Sequence, residues 1–271
     1  MITLLIGCAT DEADPTPAPF SFPPAPASNG LWWQPEVGLD WQWQITETPI
    51  DLSFDVGMYD IDLFDVESET VAQLQARGIK VVCYVSVGSW ENWREDVGEF
   101  PDSVIGKEYV GWAGERWLDI RQIDLLAPIM TARFDLCKEK GFDGIEPDNI
   151  DAYTNDTGFP LTYDDQLRYN IWLAEQAHQR GLSIGLKNNP EQASELEPYF
   201  DWALTEECFV DEWCEDMEPF ITAGKPVFAA EYIETIDEDD FLSDVCPAED
   251  ELGFRFILKD LGLDAWRVAC P

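Results

Sequence analysis

From Leu31 onward, eight short apolar segments with strand character alternate with amphipathic helical stretches. Three helical stretches run into a glycine and then straight into a strand: Arg77-Gly78-Ile79, Lys140-Gly141-Phe142 and Arg180-Gly181-Leu182. Acidic segments fall where strand patterns run out, above all Gly141-Phe-Asp-Gly-Ile-Glu-Pro-Asp-Asn149 and Ala203-Leu-Thr-Glu-Glu-Cys208. Together these predict an α/β fold, a (β/α)8 (TIM) barrel in a single domain, with chemistry at the carboxyl ends of its strands. A doubly wound open sheet is the alternative, and no glycine-rich phosphate loop supports it.

The strands are read as Trp41–Thr46, Phe54–Tyr59, Lys80–Val87, Phe142–Pro147, Leu182–Lys187, Trp202–Thr205, Pro226–Glu231 and Arg255–Leu258. Between them, Ser68–Arg77 reads as a helix with Ser68 as N-cap and Gly78 as its stop. Ile123–Lys140 sets Leu126, Ile129, Met130, Phe134 and Cys137 on one face, and Asp164–Arg180 does the same with Leu167, Ile171, Ala174 and Ala177.

Ahead of this domain, assigned to 31–271, lie two other segments. Residues 9–30 carry Pro15, Pro17, Pro19, Pro23, Pro24 and Pro26 among Ala, Ser and Asp, the composition of an extended, disordered tether. Residues 1–8 end in Leu5-Ile6-Gly7-Cys8, which resembles a lipobox in which Cys8 would carry a lipid anchor. The apolar stretch before it is short and lacks basic residues, so it reads as a truncated or atypical signal. The expectation is an exported protein, extracellular or anchored to a bacterial cell envelope.

The net charge of −39 makes nucleic acid an unfavourable partner, because phosphates would be repelled at close range. The charge either solvates the surface or attracts a polycationic substrate. The 12 Trp and 15 Phe supply flat apolar faces on which sugar rings pack, although most must be core. Six cysteines beyond Cys8 suit disulfides in an exported chain. Cys208 with Cys214 and Cys246 with Cys270 are the expected pairs, while Cys83, inside an apolar strand, reads equally well as a buried free thiol. No CxxC occurs and His178 is the sole histidine, on a helix pattern, so neither a metal nor any other cofactor is expected. The Asp/Asn-rich stretch 148–156 lacks the ligand spacing of a calcium-binding EF-hand loop.

Acids, amides and aromatics gather at the strand ends, as a carbohydrate site requires. Asp60 and Asp62 follow the second strand, and Ser86, Ser89 and Trp90 the third. Asp148, Asn149 and Asp151 follow the fourth, and Lys187, Asn188 and Asn189 the fifth. Glu206 and Glu207 follow the sixth, with Glu231 and Tyr232 at the seventh. Strand alternation turns Glu207 away from the mouth if Glu206 faces it. Structural roles compete with functional ones: Asp60 and Asp62 could cap the next helix, and Lys187 could pair with a barrel carboxylate.

Tyr59-Asp-Ile-Asp62, Cys83-Tyr-Val-Ser-Val-Gly-Ser-Trp-Glu-Asn-Trp-Arg94, Trp117-Leu-Asp-Ile-Arg121 and Asp143-Gly-Ile-Glu-Pro-Asp-Asn149 resemble signature segments of glycoside hydrolase family 114. Thr162–Ala174, Gly185-Leu-Lys-Asn188, Glu206-Glu-Cys208, Ala223-Gly-Lys-Pro-Val-Phe228 and Ile257-Leu-Lys-Asp260 continue the likeness in order. It implies a secreted barrel acting on α-1,4-linked galactosamine polymers of microbial exopolysaccharide and biofilm. Carried over by motif, it makes Asp148 and Glu206 the catalytic acids. The chain departs from the family at Glu146, where Asp is frequent, and at Thr205 and Glu207, which stand for Asn and Gln.

The expected chemistry has Glu206 protonate the glycosidic oxygen while Asp148 attacks or stabilises the anomeric carbon, with retention favoured and the two roles interchangeable. Asp60, Asp151 and Glu231 are candidates to hold ammonium groups, and Tyr84, Trp90 and Trp43 candidates for ring platforms; Asn149 and Lys187 complete the binding set. The expected partner is the cationic polysaccharide itself, met by a monomer. A non-catalytic exopolysaccharide-binding module and a hydrolase of another α-galactoside are the competing readings.

Overall fold

The computed structural model describes residues 22–27 and 30–271. The lipobox-like segment ending at Cys8 and most of the proline-rich stretch therefore lie outside the described residues. Within that stretch, residues 22–27 run against the domain, where the Tyr199 hydroxyl donates to the Pro23 carbonyl at 2.5 Å.

Twelve strands are described: β1 (Trp41–Gln44), β2 (Met58–Asp62), β3 (Lys80–Ser86), β4 (Ser89–Glu91), β5 (Ile105–Glu108), β6 (Glu115–Leu118), β7 (Gly144–Asp148), β8 (Ser183–Lys187), β9 (Trp202–Glu206), β10 (Val227–Tyr232), β11 (Arg255–Lys259) and β12 (Val268–Ala269). Nine form one sheet in the order β1-β2-β3-β7-β8-β9-β10-β11-β12, parallel throughout except for the final β11–β12 pair. Its eight parallel strands are the eight read from the sequence. The remaining three form a small antiparallel sheet, β4-β6-β5, inserted after β3.

The ring of eight does not close through a strand ladder among the described residues. β12 occupies the free edge of β11, and β1 meets the chain around it through side chains and loops. Trp41 Nε1 donates to the Arg255 carbonyl at 3.1 Å, Gln42 Nε2 to the Ala265 carbonyl at 2.8 Å, and the Arg267 guanidinium to the Trp41 carbonyl. The molecule is thus a mixed α/β fold around a curled, mainly parallel sheet with a bridged seam.

Alternation along the strands sorts side chains into two apolar layers. Trp41, Trp43, Met58, Val82, Trp202, Leu204, Phe228, Ala230 and Ile257 fill the space enclosed by the curl. Tyr59, Ile61, Val81, Cys83, Ile145, Ile184, Leu186, Ala203 and Phe256 form the outer layer beneath the helices. Gly185 is needed for the inner packing, since a Cβ there would sit 2.4 Å from the Trp202 ring. Burying each large inner side chain contributes about 1.5–3 kcal/mol.

The longer helices are α1 (Ser68–Gln75), α2 (Ile123–Lys140) and α3 (Tyr163–Gln179). α2 has its predicted bounds and ends on Gly141 at φ 95°. α3 starts one residue early because Thr162 and Asp165 form a capping box. Ser68 does not cap α1; Glu67 holds the cap position without a side-chain bond. The second strand begins later than predicted, after Gly57, where a Cβ would meet the end of the Leu39 side chain at 2.2 Å.

Disulfides join Cys208 to Cys214 and Cys246 to Cys270 as expected, and Cys83 to Cys137, which resolves the free-thiol alternative and ties β3 to α2. The inserted sheet is pinned by buried arginines. Arg94 grips Asp62 at 2.6 Å and Glu91 at 2.7 Å, and Arg133 from α2 holds Asp96 at 2.7 Å and the Ser86 carbonyl at 2.6 Å. No described helix is long and apolar enough to cross a membrane.

Candidate active site

Asp148, Lys187, Glu206 and Tyr232 are the last residues of β7, β8, β9 and β10, four consecutive strands of the sheet. Their side chains enter one cavity of about 370 Å³ at the carboxyl ends of the strands. Lys187, on the strand between the two acids, joins them. Its Nζ lies 3.0 Å from Asp148 Oδ1, 3.1 Å from Glu206 Oε2 and 3.0 Å from Glu146 Oε1. The Lys187 ammonium also sits 4.9 Å from the centre of the Trp43 ring. Burial alone would strip its proton, but Asp148, Glu146 and Glu206 together reverse that and hold the ammonium charged far above the usual range.

The three acids around Lys187 differ in access. The Glu146 side chain is sealed at 0 % exposure, whereas those of Asp148 and Glu206 keep 20 % and 24 % open. Only those two can touch a ligand. Asp148 Oδ2 accepts from the Tyr84 hydroxyl at 2.9 Å. Glu206 accepts from Asn188 Nδ2 at 3.0 Å and, at its other oxygen, from the Tyr232 hydroxyl, while its backbone amide donates to Asn188 Oδ1 at 2.9 Å. Burial, reinforced by the adjacent acids, keeps both tyrosines protonated well above their ordinary range, so each remains a donor. Sharing one ammonium puts the nearest oxygens of Asp148 and Glu206 within about 6 Å of each other, close enough to flank a single glycosidic bond.

Left-handed backbone recurs beside these strand ends, at Asn149 (φ 64°), Asn188 (48°), Asn189 (60°) and Glu207 (55°). Such conformations cost energy and concentrate at functional sites. Glu207 adjoins the cavity through its backbone position, while its charge acts on outward-facing Glu231, so its carboxylate is near that residue. Asn149 is held by Gly88, where a Cβ would lie 1.6 Å from the Asn149 carbonyl oxygen.

Of the predicted binding residues, Tyr84, Asn149, Asp151, Lys187 and Trp43 line the cavity. Trp43 is fully buried in the floor, its Nε1 donating to Glu146 Oε2 at 3.2 Å, and offers no open platform. Asp60 lies beneath the floor, enclosed, with no protein donor at either oxygen. Burial first and the Glu146 charge second raise its pKa well above the carboxylate range. Glu231 faces outward and accepts from the backbone amides of Phe209 at 2.9 Å and Val210 at 3.3 Å, fixing the loop after β9. Trp90 ties to the Val97 carbonyl within the insertion and does not line the cavity. His178 also serves structure: it stacks on Trp32 at 4.0 Å and bonds Asp201 at 2.9 Å. The cavity wall that sequence reading missed comes from the insertion, as Tyr109, Trp112 and Glu115.

Glu115, Glu146 and Glu231 are each pushed from 4.5 up to about 7, in every case chiefly by burial. Asp151 is raised from 3.8 to about 6 by burial and then by the Asp148 charge. A raised acid binds its proton more tightly in the folded chain than in the unfolded one. Stability is therefore full below the unfolded values and declines as pH rises through about 4.5 to 7. The melting temperature is expected to fall by on the order of 5 °C between pH 5 and pH 7.5, and Glu231→Gln should flatten that slope in a calorimetric pH series.

A curled parallel sheet with paired, accessible acids at the carboxyl ends of its strands is the framework of a glycoside hydrolase. The chain belongs to glycoside-hydrolase family GH114, which matches residues 23–271. It is similar to Ega3 of Aspergillus fumigatus, solved in complex with galactosamine: 37% identity, TM-score 0.83, covering 88% of this chain and 97% of that one. The glycoside hydrolase domain of PelA from Pseudomonas aeruginosa shares the fold at 15% identity and TM-score 0.66, over 86% of this chain and 99% of its own. No curated protein matches the chain.

Proposed function

We propose that this hydrolase is an endo-acting enzyme that cleaves α-1,4-linked galactosamine-containing exopolysaccharide, with Asp148 and Glu206 as its catalytic pair. The observation that carries the substrate assignment is the 37% identity, across 88% of the chain, to a protein crystallised with galactosamine. The cavity's chemistry supports it. Asp148, Asp151, Glu115 and Glu206 line it against one cation, Lys187, which is already engaged. A sugar bearing ammonium groups suits that excess of acids, and a neutral galactan would not need it.

In this reading the curled sheet acts as a barrel whose one open mouth holds the sugar. Glu206 gives its proton to the glycosidic oxygen as the C1–O bond breaks, and Asp148 bonds to C1. Water, deprotonated by Glu206, then attacks C1 and frees Asp148. Contact of both acids with one ammonium is compatible with this two-step, retaining course. The Tyr232 hydroxyl can accept as well as donate, so it serves Glu206 in both protonation states. Asp151 is the ammonium-binding acid of the sequence reading that lines the cavity. The three disulfides favour an oxidising compartment, which supports an enzyme outside the cytoplasm, with Cys8 as anchor and residues 9–30 as tether.

Incubation with a deacetylated α-1,4-galactosamine polymer should release oligomers detectable by mass spectrometry. Binding without release would favour the lectin-like module. Release from a neutral galactan alone would favour another α-galactoside.

A further inference from the structure

The inserted sheet contributes one wall of the cavity. Between β5 and β6 the chain turns tightly: the Tyr109 amide donates to the Glu115 carbonyl at 2.9 Å, and the Trp112 amide to the Tyr109 carbonyl at 3.1 Å. The Tyr109 ring is braced on Trp117 at 4.3 Å, and Trp112 stands 48 % exposed at the cavity edge. Glu115 is only 8 % exposed, yet it lines the same cavity.

A directed hydrogen-bond chain fixes which Glu115 oxygen is free. Ser89 Oγ lies 2.6 Å from Glu115 Oε2, and its single proton goes there. The 2.7 Å contact between Ser86 and Ser89 must then use the Ser86 proton. Asn149 Nδ2 donates to Ser86 Oγ at 2.9 Å and to Ser89 Oγ at 3.3 Å, which closes the sequence. Every proton runs from the loop beside Asp148 toward Glu115 and stops at Oε2. Oε1 has no protein donor among the described residues, and Glu115 forms no ion pair. Oε1 is not among the enclosed unpartnered oxygens, so it stays open to the cavity that Tyr109 and Trp112 also line, where a ligand's donor can reach it.

We infer that Glu115, with Tyr109 and Trp112, forms a subsite that selects a sugar ring carrying a protonated amine. The ammonium bonds Glu115 Oε1, and the apolar face of the ring lies on the aromatic side chains. This rests on the galactosamine reading for the identity of the amine. The subsite discriminates against N-acetylated units, because an amide cannot supply the charge and its acyl group must find room in the wall.

Calorimetric titration in the Asp148→Asn background separates binding from turnover. The probes are a deacetylated α-1,4-galactosamine tetramer and its N-acetylated counterpart. Adding Glu115→Gln, which keeps the acceptor for Ser89, should weaken the deacetylated tetramer about tenfold or more and the acetylated one less than about twofold. Trp112→Ala, at an exposed position away from the buried chain, should weaken both by similar factors. An equal loss for both tetramers on Glu115→Gln, or none, overturns the subsite. Tight binding by a protein whose native form releases no oligomers would instead overturn the hydrolase reading and leave the subsite standing.

Discussion

Asp148→Asn is expected to lower turnover by about three to four orders of magnitude while leaving the fold intact. The amide matches the carboxylate in size; with its oxygen toward Lys187, its NH2 can donate to the Tyr84 hydroxyl oxygen across the 2.9 Å contact. Lys187 keeps Glu146 at 3.0 Å and Glu206 at 3.1 Å, so the buried ammonium stays paired. The melting temperature should therefore move by no more than about 3 °C. The loss falls on the negative charge facing the anomeric carbon. Glu206→Gln is expected to lose a comparable factor on the polymer, but for a different reason, the missing proton at the leaving oxygen. A substrate with an acidic phenol as leaving group needs no such proton. Glu206→Gln should release that phenol in a first-turnover burst within about tenfold of the native rate and then stall for want of the base that activates water, whereas Asp148→Asn should give no burst. If Asp148→Asn is the variant rescued, the acid and nucleophile roles are exchanged. Near-native rates from either variant on the polymer would reject the pair.

The site was legible where chemistry coincides with strand ends and opaque where it depends on strand phase or on insertions. Asp148 and Glu206 close β7 and β9, so counting to the end of each apolar run found them. Glu231 has the same sequence signature, yet Phe228, Ala230 and Tyr232 face inward on β10, and period two turns Glu231 out. Apolar residues on both faces of that strand hide its phase, as they do in any fully buried parallel strand. The inserted strands β4, β5 and β6 run three or four residues each and mix Gly, Trp and charged side chains, with too few periods to register as strands. Tyr109, Trp112 and Glu115 were lost with them. The Cys83–Cys137 link was ambiguous for a related reason: Cys83 lies on the outward face of β3, and only that phase aims it at α2.

Lys187→Met should be the most damaging single change at the site, removing both activity and stability. Methionine fits the volume of the aliphatic stem, so the effect isolates the ammonium. Without it, Glu146, Asp148 and Glu206 face one another with Asp60 directly below, and no other cation lines the cavity among the described residues. Removing one partner from a buried ionic cluster costs about 3–5 kcal/mol, because the charges left behind are neither solvated nor compensated. The chain can escape part of that cost by taking up protons. Glu146, driven up first by burial and held down by Lys187, will keep its proton to higher pH once the ammonium is gone. The variant should thus melt on the order of 10 °C lower at pH 7.5 and recover part of the deficit at pH 5, where Glu146 holds its proton. Lys187→Arg should not restore function, since a flat guanidinium cannot occupy a point contact among three carboxylates 3.0–3.1 Å away beneath the Trp43 ring. A Lys187→Met protein with native melting behaviour and native turnover would mean that the acids do not depend on the ammonium between them, and the account of how Asp148 and Glu206 are brought together would fail.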